Sequence, residues 1–272
     1  MKTTKIITLM TVALIFGLST LAQAGDIVIK GSTTVLPIAQ KCVEAYMKKN
    51  PEIKISLSGG GSGNGIKALI DNSTDIATAS RFIKNKEIDM FCGKGIYPVP
   101  FAVAYDSIIP VVHPSNPITN ITLDQLKAIY MGQVTNWKEI NGEDKPIVVN
   151  SRDTSSGTYE TWEEKVMNKE RVAPSAQVMA SNGAIAQAVS KNKYAIGYVG
   201  IGYLNADLKA LSVNAVTGSK ETTLDGTFPI SRPLFMFTNG WPTGEILNFI
   251  NFVLSPTRGQ NLVEESGYVR LY

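Results

Sequence analysis

Three times in this chain a short apolar strand pattern runs through a turn of glycine and hydroxyl residues into a helical pattern. DIVIKG (26–31) passes through GSTT (31–34) into VLPIAQKCVEAYMKKNP (35–51). IKISLSG (53–59) passes through GGGSGNG (59–65) into GIKALIDN. PIVVNS (146–151) passes through RDTSSGT (152–158) into TYETWEEKVMN. Strands alternating with helices predict an α/β fold. The turns also carry a chemistry. The first turn of a helix has backbone N–H groups without intrahelical partners, and the helix dipole makes it partly positive. Serine and threonine add rotatable O–H donors, and glycine allows tight turns and close approach. Such a turn is an anion site that needs little net charge. The third is the densest: residues 151–158 hold one arginine, one aspartate and five hydroxyls. One hydroxyl at a helix start is most often a structural cap. Three such turns facing one point would enclose a tetrahedral oxyanion, and Arg152 can add a planar, two-pronged donor.

Between these turns the alternation continues. In the first helix Val35, Ile38, Ala39, Cys42, Val43, Tyr46 and Met47 recur at three-and-four spacing, and Asn50 and Pro51 end it. DIATAS (75–80) and YAIGYVG (194–200) read as strands. Thr122 caps a helix over LDQLKAIYMG, with Gln125 in capping-box position, and NGAIAQAVSKN reads as another helix. Two long apolar strands, near 103–112 and 228–237, predict two lobes joined by a two-strand hinge, the first lobe being completed by the C-terminal segment.

Residues 1–24 read as a leader: Lys2 and Lys5 precede the apolar run IITLMTVALIFGL, and AQA at 22–24 is a small-x-small cleavage site. Cleavage would leave 248 residues of the 272, and 24 basic residues (26 less the two leader lysines) against 23 acidic ones, a net charge of +1. That balance gives no basis for nucleic-acid or anionic-membrane binding. Cys42 and Cys92 are either two small core residues or a disulfide. With His113 as the only histidine, they do not make a metal ligand set, and no cofactor is indicated. GGSGNGIK lacks the lysine and hydroxyl placement of a nucleotide-phosphate loop, Ala68 standing where a metal-binding hydroxyl is needed. A serine hydrolase needs a base beside the serine, and His113 lies near prolines in a strand-like run.

The stretches GSTTVLPIAQ, SGGGSGNGIKAL, DIATASR, VPFAVAYDSI, NWKEING, SRDTSSGT and SNGAIAQAVSKNKYAIGYVG occur in an order that resembles the phosphate-binding receptors of phosphate ABC transporters, the PstS family in its short form. The resemblance spans nearly the whole chain after the leader. It implies a type II periplasmic-binding-protein fold, with 25–108 and 227–272 forming one lobe and 109–226 the other. It implies a monomeric, non-enzymatic periplasmic protein that closes on inorganic phosphate and delivers it to permease and ATPase subunits. The site residues it implies are Ser32, Thr33 and Thr34 from GSTT, Ser62 from GGGSG, and Arg152, Ser156, Gly157 and Thr158 from RDTSSGT. Asp153 would hold Arg152 or serve as a turn residue. The best-known members carry an aspartate after the strand matching DIATAS, where it accepts a phosphate proton. Here Ser80 aligns with it, followed by Arg81, and both are expected at the phosphate. Without a buried carboxylate to repel a fully ionised anion, sulfate, molybdate or tungstate become alternative ligands. A secreted phosphatase, or a sensor without a transporter, are further alternatives.

Overall fold

The computed structural model describes residues 26–272; the leader and its cleavage site lie outside them. The chain alternates as its pattern predicts. Strand β1 (Ile27–Gly31) leads into helix α1 (Leu36–Lys49), β2 (Ile55–Gly59) into α2 (Ser62–Ile70), and β3 (Ile76–Ala79) into α3 (Asn85–Gly93). The long strand β4 (Pro98–Val112) follows. Then come β5 (Asn120–Ile121), α4 (Leu123–Tyr130), β6 (Val148–Arg152), α5 (Gly157–Lys165), β7 (Gln177–Met179), α6 (Asn182–Ser190) and β8 (Ala195–Gly200). The chain ends with β9 (Lys209–Ala210), β10 (Ser212–Val213), α7 (Lys220–Leu224), β11 (Ser231–Asn239), α8 (Gly244–Leu254) and α9 (Gly259–Glu265).

The main sheet has the order β2-β1-β3-β11-β4-β8-β6-β7, with β9 also on β4. Strands β1, β2 and β3 pair in parallel, and β6 pairs in parallel with β7 and β8. Strand β4 joins the two halves. Its residues 98–107 pair with β11, and Ile108–Val112 pair with β8. The apolar cores divide at the same place. One core draws on residues 108–230 and is centred on Trp137, Trp162, Tyr130 and Tyr198, with the Trp162 and Tyr198 rings stacked at 4.2 Å. Two others draw on residues 27–104 and 234–268, one between α1, α8 and the sheet, the other under α2 and α3. The C-terminal segment returns to β4, where Val269 bridges Tyr105.

Local signals behave as the chemistry demands. Thr122 accepts from the Gln125 backbone while the Gln125 side chain accepts from the Thr122 N–H, a reciprocal cap. Cys42 is buried and Cys92 exposed, and both are unpaired thiols, so the disulfide alternative is not the one adopted. Among the described residues, no helix is long and apolar enough to cross a membrane.

Candidate anion site

The three hydroxyl-rich turns converge. At the end of β1, Gly31 has φ +143°, and a Cβ there would meet the Thr78 carbonyl oxygen at 2.1 Å, so only glycine fits. The chain then turns through Ser32, Thr33 and Thr34. Ser32 Oγ accepts from the backbone N–H groups of Thr34 (3.1 Å) and Val35 (3.4 Å), which makes it the cap of this turn. Thr33 and Thr34 direct their hydroxyls toward the other half of the molecule. Thr34 Oγ1 lies 2.7 Å from Thr158 Oγ1, and Thr33 Oγ1 accepts from Arg152 Nη1 at 3.2 Å.

Ser62 opens α2, is buried, and its Oγ accepts from the Ser80 N–H at 3.0 Å and sits 3.3 Å from Ser80 Oγ. Facing this pair is Gly157, the first residue of α5: a Cβ on it would be 2.4 Å from Ser62 Oγ and 2.8 Å from Ser80 Oγ. Ser156 caps α5, accepting from the Tyr159 N–H at 3.2 Å. Contacts thus join Thr33, Thr34, Arg152 and Thr158, and join Ser62 and Ser80 with Gly157, into one buried cluster, while Ser32 and Ser156 hold the helix starts that border it.

Arg152 is buried and fixed from behind. Its Nε donates to the Met179 carbonyl (2.9 Å) and its Nη2 to the Ala180 carbonyl (3.0 Å), both at the end of β7. The hydroxyl of Tyr198, in the aromatic core, accepts from the Arg152 N–H at 3.2 Å. Burial pushes the guanidinium below its usual pKa, and the Asp153 carboxylate, 3.6 Å away, opposes this. Asp153 also shapes the turn, accepting from the Ser155 N–H at 2.9 Å.

Arg81 is placed elsewhere. Its guanidinium donates to both Glu87 oxygens (2.7 and 2.8 Å), and its Nε pairs with Glu160 of α5. Lys84 Nζ lies 2.9 Å from the same Glu160 oxygen. These charges bridge the two halves beside the hydroxyl cluster rather than within it. Burial, which lowers the Arg81 pKa, is outweighed by the hydrogen bond to Glu87 and the charges of Glu160 and Glu87, which raise it. Burial pushes Glu160 up against the pull of Lys84 and Arg81.

Three residues that the strand–turn–helix reasoning did not single out complete the cluster. Asn182, at the start of α6, donates through Nδ2 to Thr33 Oγ1 and Thr34 Oγ1, both at 3.0 Å. Arg232, on β11, donates through Nη2 to Thr158 Oγ1 at 2.9 Å and through Nη1 to the Gly157 carbonyl at 3.0 Å. Asp106, on β4, accepts from Arg232 Nε (3.0 Å) and Nη2 (2.9 Å) and is fully buried. Burial pushes the Asp106 carboxyl up despite that cation, and pushes the Arg232 guanidinium down despite the anion. The signals were present. SNG (181–183) is a fourth hydroxyl-and-glycine helix start, and Asp106 and Arg232 are lone opposite charges in the two long apolar strands. Among the described residues, no group of three or more His, Cys, Asp or Glu could hold a metal ion.

The PBP superfamily domain matches residues 19–257. The phosphate-binding protein PstS of Borreliella burgdorferi is 34% identical over 253 residues, covering 89% of this chain and 88% of that protein. The chain belongs to the PstS family. Two solved structures extend the match to three dimensions. A putative phosphate ABC transporter substrate-binding protein from Clostridium perfringens, with bound phosphate, is 33% identical with a TM-score of 0.85, covering 91% of this chain and all of that one. An ABC-type phosphate transport receptor from Vibrio cholerae is 33% identical with a TM-score of 0.73, covering 89% and 99%. Like these two structures, this one has the type II periplasmic-binding-protein fold.

Proposed function

We propose that this protein captures inorganic phosphate between two lobes and delivers it to the permease and ATPase subunits of an ABC importer. The observation that carries the reading is the meeting of hydroxyls from three separate strand-to-helix turns. Thr33 and Thr34 come from the first, Ser62 from the second and Thr158 from the third, with the Arg152 guanidinium bonded to Thr33. Residues 25–108 and 227–272 are read as one lobe and 109–226 as the other; the apolar cores divide near these bounds, with Ile108, Phe228 and Ile230 packed in the core of the second lobe. Strand β4 and the approach to β11 are the hinge, and binding shifts the population toward the closed form. Phosphate is held by Thr33, Thr34, Ser62, Ser80, Arg152, Gly157 and Thr158, with Ser32 and Ser156 ordering the backbone donors. Arg81 acts from the side, through Glu160.

The protein is a receptor rather than an enzyme. A nucleophilic hydroxyl needs an acceptor for its proton, and the nitrogen partners of Thr33, Thr34 and Thr158 are donors: Arg152, Asn182 and Arg232. The leader would send the chain to the periplasm, with cleavage near Ala24, and the protein would act there as a monomer. Names of the relatives support phosphate as the ligand. The site's hydroxyls have no carboxylate bonded to them directly, which keeps sulfate, molybdate and tungstate as rival ligands. Titration calorimetry against these four anions is the test. Phosphate should bind one-to-one and most tightly; tighter binding of another oxyanion, or none of phosphate, refutes the reading. A chromogenic phosphate ester should stay intact.

A further inference from the structure

Two segments remote in sequence meet at the lip of the cleft, outside the hydroxyl cluster. The loop after β3 carries Arg81 and Lys84; α5 carries Glu160, about one helical turn past Gly157. Arg81 is anchored in its own half. Its Nη1 and Nη2 donate to the two Glu87 oxygens at 2.8 and 2.7 Å, and Nη1 donates also to the Phe82 carbonyl at 2.9 Å. Its Nε reaches across to Glu160, and the same Glu160 oxygen takes Lys84 Nζ at 2.9 Å. Next to this bridge the Gly63 N–H donates to the Ser155 carbonyl at 2.9 Å, a second contact between the halves. The side chains of Arg81 and Glu160 are only 9% and 12% exposed, so their bond carries more weight than a surface pair, whereas Lys84 is 55% exposed.

A cleft of about 480 Å³ opens on the solvent side of the bridge. Arg81 and Lys84 line it from one half, and Glu160, Glu163 and Glu164, with Lys169 among them, from the other. The two faces are opposite in sign and attract as the halves approach. Among the described residues, Glu160 and Lys84 have no bond to a hydroxyl of the anion cluster; the bridge joins the halves without touching the point where an anion would sit.

We propose that Glu160, through Arg81 and Lys84, is the latch of the closed form: it favours closure by the same amount whatever anion is inside, and so sets affinity and release without setting selectivity. Glu160 and Lys84 are in this sense positioning residues. The proposal rests on the two-lobed phosphate reading above and adds to it what holds the lobes together once the anion is enclosed.

The reasoning is one of linked equilibria. A ligand that needs the closed form has its affinity reduced by the fraction of ligand-free protein that is closed. A contact made only when the halves meet changes that fraction and nothing else. Where the fraction is small, every ligand's affinity moves by one common factor. A group that touches the anion, such as Arg152 in the phosphate reading, has no such constraint and can move two anions unequally. Association starts from the open form, in which the bridge is absent, so losing the bridge appears in the release rate.

The test compares Glu160→Gln with Glu164→Gln. Glu164 is exposed on the same helix and lines the same cleft, so its variant makes the same change of charge without a partner across the cleft among the described residues. Affinities for phosphate and arsenate, two tetrahedral anions of like charge, are measured by calorimetry, and rates by stopped flow. Relative to Glu164→Gln, Glu160→Gln should bind both anions about 5- to 30-fold more weakly, between the effects of an exposed pair and a buried one. The two factors should agree, release should quicken, association should hold, and the ligand-free melting temperature should not fall. Lys84→Met, a change at an exposed side chain, should cost less, and should cost nothing once Glu160 is glutamine. Unequal factors for the two anions would show that the carboxylate reads the ligand, and would overturn the proposal. So would slower association with unchanged release, which is steering, or a lower ligand-free melting temperature with parent affinity, which is a rigid core. If Glu160→Gln does not fold, Lys84→Met decides by the same comparison of anions and rates. A parent that prefers another oxyanion overturns the phosphate reading, while the variants, titrated with that anion and phosphate, still judge the latch. A parent that binds no oxyanion removes both.

Discussion

Replacing Gly157 by alanine adds one methyl group where α5 of one half meets Ser62 and Ser80 of the other. The backbone tolerates it, because Gly157 is not among the positive-φ residues, and alanine within a helix is about 0.5–1 kcal/mol better than glycine. The obstacle is across the cleft. The new Cβ would stand 2.4 Å from Ser62 Oγ, 2.8 Å from Ser80 Oγ and 3.0 Å from Ser62 Cβ, where ordinary contact begins at 3.4 Å. The halves must separate by about 1 Å, or Ser62 must rotate and abandon the buried Ser80 N–H, which costs roughly 1–3 kcal/mol. Overpacking a tight contact costs about 1–3 kcal/mol as well. Charged to the closed form alone, this weakens phosphate binding by about 5- to 150-fold. The ligand-free protein, free to open, should melt at or slightly above the parent temperature, and the rise in melting temperature on adding phosphate should shrink. Gly60→Ala is the control, because a Cβ there meets nothing within 4 Å. Parent-like phosphate affinity in Gly157→Ala would show that this contact does not form in the bound state. A destabilised ligand-free protein would show that it belongs to one rigid core.

Arg152→Ala should weaken phosphate binding about tenfold or more while the protein stays folded, since a charge-assisted contact contributes roughly 1.5–3 kcal/mol; calorimetry with a thermal melt checks both. Arg81→Met should weaken binding less, through loss of the Glu160 bridge, and its deficit should shrink as salt is added, whereas the more enclosed Arg152 deficit should persist. Burial pushes the Cys42 thiol up to about 12, so at mildly alkaline pH iodoacetamide should label Cys92 in the native protein and reach Cys42 only on unfolding; native labelling of Cys42, detected by peptide mass, refutes the burial.

Much of the candidate site could be read from the chain because its parts are local. A strand that ends in Gly-Ser-Thr-Thr or Ser-Ser-Gly-Thr before a helix must present unpaired N–H groups and hydroxyls at that point, whatever lies around it. Such turns hold Thr33, Thr34, Ser62, Gly157 and Thr158, with Ser32 and Ser156 at their starts; which of these residues meets the anion was implied by the resemblance to the PstS family. Asn182 belongs to the same class and needed only the same rule applied to SNG. The alternation of strands and helices likewise carried the fold class. The two long apolar strands carried the place where the chain passes between halves.

Two arginines mark the boundary of that legibility. Arg81 stands at a strand end beside a hydroxyl, which by sequence is a ligand position, yet it turns to Glu87 and Glu160. Arg232 stands in an apolar strand with no motif around it, yet it reaches the threonines of both halves, held by Asp106, 126 residues away. A helix start has its donors built into the backbone, so the sequence by itself determined which turns could hold an anion. An arginine side chain is long and goes where a buried carboxylate, carbonyl or hydroxyl repays its desolvation, and those partners are brought beside it only when distant strands pair. Which cation faces the site, and which way its hydroxyls point, was decided by the tertiary structure alone.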